Sequence, residues 1–316
     1  MSAAAAPAPP DLLDRAYAAC AQLARDHYEN FPVASMLVPK RMRRAVAAVY
    51  AFARRADDFA DEPGYAVEER LRLLDDWRAR LMRAAEPPPV IHESGQAEPD
   101  LVFIAVADAI RTHALPVALF DDLLSAFRQD VTVTRYQTWA DVLDYCSRSA
   151  NPVGRLVLRI AGHRDDALDR ASDALCTALQ LTNFWQDFAR DWASGRLYVP
   201  LADCEAFGAR LAALDDALAA ARQSNGTTPA VPMPAAWKAV LREMAARTRQ
   251  LFMEGRPVCD GVQGRLKYEL RLTWLGGMRI LERLEAADFD MFANRPTLTA
   301  RDIAPLVWRS ASWTRA

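Results

Sequence analysis

Two groups of carboxylates stand out by type and spacing. The segment RMRRAVAAVYAFARRADDFADE runs from Arg41 to Glu62 without Gly or Pro. At about 100° per residue, Tyr50, Arg54, Asp57, Asp58 and Asp61 fall within about a third of a helix circumference. Asp57 and Asp61 stand one turn apart on the same face. The segment CTALQLTNFWQDFARDW, Cys176 to Trp192, is also free of Gly and Pro. On a helix it lines up Gln180, Asn183, Asp187 and Asp191, with Leu181, Trp185 and Phe188 to the side.

Paired stripes of carboxylates form a cage for hard cations. Magnesium takes oxygen ligands, keeps several waters, and bridges carboxylates to phosphate oxygens. The chemistry that needs such a cage is loss of diphosphate, in which metal ions neutralise the departing oxyanion. A lone DDxxD is ordinarily a solvated charged face. The second stripe lies within a strongly apolar helix, where carboxylates are costly unless a cation or a basic group accompanies them. Together the two stripes select the metal-binding reading.

The elements that must hold these residues are helices. Apolar residues recur at helical spacing along most of the chain, and no stretch sustains the alternation of a strand. Turn formers cluster at Ala85 to Pro99 and at Arg222 to Pro234, with smaller breaks at Glu62-Pro63-Gly64, Leu115-Pro116, Asn151-Pro152 and Val199-Pro200. The expectation is an all-α protein of roughly ten helices with no sheet. Residues 1–10 read as a disordered arm and 11–316 as a single helical domain, because the two aspartate motifs flank the first long loop.

Composition narrows the partners. The chain has 316 residues, 52% of them hydrophobic, with 39 Lys plus Arg against 41 Asp plus Glu. No basic excess is present to neutralise nucleic-acid phosphates, so no nucleic-acid partner is expected. Cys20, Cys146, Cys176, Cys204 and Cys259 lack CxxC spacing and read as reduced cysteines of a cytoplasmic protein. The N-terminus lacks the features of a signal peptide, and no apolar run is long enough to span a membrane.

At these motifs the sequence resembles the squalene and phytoene synthase family, from about His27 to Arg295. YAFARRADDFADE is similar to the family's first aspartate motif and QLTNFWQDFARDWASGRLYVP to its second. The resemblance implies a single all-α isoprenoid synthase domain with helices around a central cavity, and two or three magnesium ions on Asp57, Asp58, Asp61, Asn183, Asp187 and Asp191. It puts Tyr50, Arg54, His27 and Asn30 at the diphosphate, and Gln180 and Tyr198 on the cavity wall. Tyr145 opens YCSRSANPVG, where the family usually has YCY-x-VAG-x-VG, and Arg295 in ANRPTL is set to return to the diphosphate. HYENFPVASMLVP and SANPVG resemble the family's bacterial hydroxysqualene synthases of hopanoid biosynthesis. That likeness implies presqualene diphosphate and water as substrates, hydroxysqualene and diphosphate as products, and no NADPH.

The same fold also supports condensation of farnesyl diphosphate to presqualene diphosphate or squalene, or a phytoene synthase reaction. A helical assembly factor without chemistry is disfavoured by the intact aspartates. Functional coupling to other squalene-pathway enzymes and peripheral contact with the inner membrane follow from the apolar substrate. Trp308 and Trp313, interleaved with Arg309 and Arg315, offer one site for such contact. Arg55 reads as a solvated residue beside Arg54. Asn151-Pro152 is expected to break a helix, and the Asn151 amide or the freed carbonyls to stabilise a carbocation or hold a water. Gly264 to Glu285 reads as a long amphipathic helix whose Leu, Trp and Met residues face the core, with Gly276-Gly277 easing a close contact.

Overall fold

The computed structural model describes residues 9–26, 38–61, 64–86, 98–223, 233–293 and 295–314, with the side chains of 221–223 excepted. Among these residues there is no strand, only an isolated bridge between Arg135 and Leu197. The protein is all-α.

The helices of the first half are α1 (Pro10–Asp26), α2 (Lys40–Asp61), α3 (Val67–Ala85), α4 (Glu98–His113), α5 (Val117–Thr132), α6 (Trp139–Ser149) and α7 (Asn151–Ala161). Then come α8 (Asp166–Gln186), α9 (Phe188–Ala193), α10 (Leu201–Ala206), α11 (Leu211–Gln223), α12 (Ala235–Gly255), α13 (Val258–Gly261), α14 (Gly264–Ala286) and α15 (Ala300–Ala311). These exceed the roughly ten expected because short helices of four to six residues, α9, α10 and α13, are too brief to show periodicity. α1 opens at Pro10, one residue inside the expected arm of 1–10, and residues 1–8 of that arm lie outside the described residues.

Residues 1–132 with 148–169 make one compact unit, and residues 133–147 with 170–316 a second. In the first, α2 is central, touching α1, α3, α4, α5 and α7. Small residues allow it: Ala45, Ala48, Ala51, Ala56 and Ala60 are buried along it. Phe52 anchors the core, with Trp77, Phe103 and Phe120 at centroid distances of 6.0, 6.0 and 5.2 Å. The Trp77 indole N–H donates to the Phe52 carbonyl at 3.3 Å. As the sequence indicates, α6 ends at Ser149 and α7 restarts at Asn151 with Pro152 in its first turn.

In the second unit α14 packs against α12, α13 and α15. Its Leu266, Leu272, Trp274, Leu275, Met278 and Leu281 are buried, as its periodicity predicts. Gly277 meets a close neighbour: a Cβ there would lie 2.6 Å from Phe252 and 2.7 Å from Leu179. Gly255 sits tighter still, since its Cβ would fall 2.5 Å from the backbone nitrogen of Leu175. Trp185 donates to the Thr248 hydroxyl at 2.8 Å, tying α8 to α12 inside this core. After α14 the chain turns through two residues with left-handed backbone, Asp288 and Phe289 (φ 48° and 55°). Asp288 pairs with Lys238 and Arg242 at 2.8 and 3.0 Å, while Phe289 is buried.

Cys20, Cys146, Cys204 and Cys259 are buried free thiols, and burial pushes each up to about 12, so they are packing groups. No described helix is long and apolar enough to cross a membrane.

Candidate functional site

The first acidic motif occupies the last turns of α2. Its alanine and Phe52 face is buried, which turns Tyr50, Arg54, Asp57, Asp58 and Asp61 to the accessible side, none of them buried. Arg54 bridges two of the carboxylates, at 3.3 Å to Asp57 and 2.7 Å to Asp58. Its Nε is buried without a hydrogen-bond partner among the described residues. Arg55, expected as solvated, keeps 33% of its side chain exposed and has acidic partners on both sides. It pairs with Asp58 at 3.5 Å and with Glu98 of α4, because α4 brings a carboxylate alongside the helix.

The second motif departs from the expected continuous helix. The ladder carries through, with Asp187 N–H on the Asn183 carbonyl at 2.8 Å and Asp191 N–H on the Asp187 carbonyl at 2.9 Å. Asp187 itself sits at φ −93°, ψ 7°, between α8 and α9. That backbone region is sparsely allowed and recurs at active sites. Side chains on this break are held by the segment after α14. Gln186 donates to the Pro296 carbonyl at 2.6 Å, and Arg295 grips Asp187 with two bonds, Nε to Oδ1 at 2.6 Å and an Nη to Oδ2 at 3.0 Å. Arg190 adds a contact at 3.6 Å. Arg295 is thereby brought into the second motif, reached through the left-handed turn after α14.

Gln180, Asn183, Asp187 and Asp191 form the least buried stripe of this segment, while Leu181, Thr182, Phe184, Trp185 and Phe188 are buried. Beside it stands an aromatic wall. Tyr198 stacks flat on Phe184, centroids 3.6 Å apart at 2°. Tyr136 lies 5.7 Å from Tyr198, and Tyr145 lies 6.1 Å from both Tyr198 and Phe184. The bridge of Arg135 to Leu197 and the Leu201 N–H on the Tyr136 carbonyl at 2.9 Å hold the segment carrying Tyr198 in place. The resemblance sets Tyr198 on a cavity wall and Tyr145 at the head of a family motif; Tyr136 and Phe184 are not among the residues it names. Phe184 was legible as the neighbour of Asn183. Tyr136 carries only the Thr138/Asp141 capping box that follows it, with bonds of 2.8 and 3.2 Å.

His27, Asn30 and Ser35 lie outside the described residues. No three His, Cys, Asp or Glu side chains among the described residues cluster closely enough to hold a metal by themselves. The donors nonetheless fit magnesium, being oxygen only, and magnesium relies on one or two carboxylates plus waters and substrate phosphates rather than an all-protein cage. Each motif taken by itself offers such oxygens, Asp57, Asp58 and Asp61 in one unit and Asn183, Asp187 and Asp191 in the other.

The squalene/phytoene synthase family model matches residues 24–302. The chain is 41% identical over 185 residues to the hydroxysqualene synthase of Zymomonas mobilis subsp. mobilis, covering 57% of this chain and 58% of that relative. It is 35% identical over 266 residues to the hydroxysqualene synthase of Rhodopseudomonas palustris, covering 82% and 80%. The crystal structure of the squalene synthase HpnC from Alicyclobacillus acidocaldarius matches with TM-score 0.75 at 38% identity, over 89% of this chain and 97% of that one. Both acidic stripes, their arginine partners and the helical frame that presents them lie within the matched span, and the chain belongs to the squalene/phytoene synthase family of enzymes.

Proposed function

We propose that this protein converts presqualene diphosphate and water to hydroxysqualene and diphosphate, without a reductant, both compact units serving one catalytic domain. The observation that carries the reading is the second motif. An arginine-gripped carboxylate and its polar stripe lie one residue from a stacked aromatic wall, which suits a ligand with a diphosphate head and a hydrocarbon body. Hydroxysqualene synthases among the relatives point to the same substrate class.

Magnesium ions, held by Asp57, Asp58, Asp61, Asn183, Asp187 and Asp191, would supply charge neutralisation of the leaving diphosphate. The Arg54 and Arg295 guanidinium groups bind diphosphate oxygens, and Tyr50 with His27 and Asn30 adds hydrogen bonds. The ester C–O bond breaks and its electron pair leaves with diphosphate. The faces of Phe184, Tyr198, Tyr145 and Tyr136, with Gln180 at the wall, border the resulting cyclopropylcarbinyl cation, which aromatic rings stabilise through their quadrupoles. Ring opening gives an allylic cation. One water adds its oxygen there, with Asn151 holding it, and a proton is lost. The protein works in the cytoplasm, in peripheral contact with the membrane that stores its apolar substrate and product.

The test is incubation of the purified protein with magnesium and presqualene diphosphate, NADPH omitted, with products identified by mass spectrometry. Hydroxysqualene is expected. Consumption of farnesyl or geranylgeranyl diphosphate in its place would overturn the hydration step and move the reaction to condensation. No magnesium-dependent release of diphosphate from any of the three would overturn the catalytic reading altogether.

A further inference from the structure

The last described helix, α15, carries an arrangement that the catalytic reading does not use. Its buried residues are Asp302, Leu306 and Ser310, one per turn on a single face. On the opposite side the order around the helix is Ile303, Val307, Ala300, Ala311, Ala304 and Trp308, an arc of about 140° at 100° per residue without one charged or hydrogen-bonding side chain save the indole N–H. Ile303, Val307 and Trp308 are 44%, 46% and 73% exposed, and Trp308 is the most exposed large apolar residue described. The next sector holds Arg301, Pro305 and Arg309, all exposed.

This face is fixed in place. Asp302 closes a capping box with Thr299 and accepts from Arg279 at 3.3 Å and Arg283 at 2.7 and 2.8 Å. The Arg271 guanidinium donates to the Ser310 carbonyl at 3.3 Å at the other end. Beside the apolar arc lies a pocket of about 770 Å³ lined by Arg279, Arg283, Arg301, Asp302, Pro305 and Arg309. Asp302 offsets one of its four arginines and Glu282 a second, at 3.1 Å from Arg279. Arg301 and Arg309 have no acidic partner among the described residues. An apolar arc beside an uncompensated basic sector, on a helix that cannot turn away, suits one occupant above others. A protein partner or a second copy of this chain would have to bring its own acidic patch, whereas an anionic bilayer offers acyl chains and phosphates side by side.

We propose that α15 docks the protein on anionic lipid membranes, with Ile303, Val307 and Trp308 in the interfacial layer and Arg301, Arg309 and the pocket behind them on lipid phosphates. Trp313, which the sequence paired with Trp308 for this role, is instead an anchor. It packs on Trp274 at 5.3 Å, donates to Asp260 at 3.3 Å, and lies under Arg256.

The experiment is co-sedimentation of the full chain with vesicles of phosphatidylcholine alone and of phosphatidylcholine with phosphatidylglycerol, at low and high salt. Binding to the anionic vesicles, weakened by salt, is expected. Removing both charges in Arg301→Gln/Arg309→Gln should lower partition into anionic vesicles about twenty-fivefold, at about fivefold per arginine. Trp308→Ser should lower partition into both kinds of vesicle, with an unchanged melting profile because the side chain is exposed. Equal sedimentation with and without phosphatidylglycerol, or full binding by Trp308→Ser, would overturn the proposal. So would concentration-dependent self-association in light scattering that Trp308→Ser abolishes, since a second copy would then be the occupant.

Discussion

Glu269 offers a quantitative handle on the second unit. It stands on α14 with Leu266 and Leu272 on the same face, is 8% exposed, and its Oε2 has no hydrogen-bond partner among the described residues. Burial pushes its carboxyl from 4.5 up to about 8. The folded protein therefore holds a proton that the unfolded chain releases near 4.5. Stability from this group is whole below that value and drains as pH rises toward about 8. Each tenfold change in ionisation is worth about 1.4 kcal/mol, so the loss between pH 5 and pH 8 is roughly 3 kcal/mol. Glu269→Gln keeps the shape and removes the ionisation. In guanidinium denaturation the variant should match the parent near pH 5 and exceed it by roughly 3 kcal/mol near pH 8. A difference between the proteins that does not change with pH would refute the argument. So would a less stable variant near pH 8, because it would show an ionised Glu269 held by a partner.

Gly255→Ala should cost about 3 kcal/mol in the same assay, since the added methyl meets the Leu175 backbone rather than a side chain that can swing aside. Gly277→Ala meets only the side chains of Phe252 and Leu179 and should cost less. Asp57→Asn and Asp187→Asn should each lower turnover by about a thousandfold with unchanged circular dichroism, and full activity in either would refute the metal assignment. Arg295→Lys keeps the charge but loses the two-point grip on Asp187, and kcat/KM should fall about tenfold or more. Asn151→Ala should change the share of alcohol among the products; an unchanged product would end its water-holding role.

What the sequence revealed was local. Asp57 and Asp61, or Asn183 and Asp187, are one turn apart, so helical spacing alone places them on one accessible stripe. The same holds for the buried face of α14 and the break at Asn151-Pro152. What stayed hidden depends on residues distant in the chain. Arg55 reads as a surface cation until Glu98 of α4 is beside it. The stretch from Cys176 to Trp192 reads as one helix, because nothing local announces that Arg295 and Pro296 will bind its middle. Glu269 sits in an amphipathic pattern where a carboxylate ordinarily marks the solvent face, yet α12, α13 and α15 surround that helix. Tyr136 joins the aromatic wall through the pairing of Arg135 with Leu197 and the Leu201 N–H on its carbonyl.

The grip of Arg295 on Asp187 also bears on transplanting the motif. The two residues are 108 positions apart, and the arginine reaches its carboxylate only from the segment that follows the turn at Asp288 and Phe289. A designer who grafts Gln180 to Asp191 onto a foreign helical scaffold would carry over the acidic stripe without its counter-charge or the Gln186 latch. The grafted peptide would favour a straight helix with Asp187 pointing freely into water. The motif is therefore not a portable cassette. Its smallest transferable form is α8 and α9 together with the chain from α14 through Pro296, and chimeras between relatives should be joined outside that span.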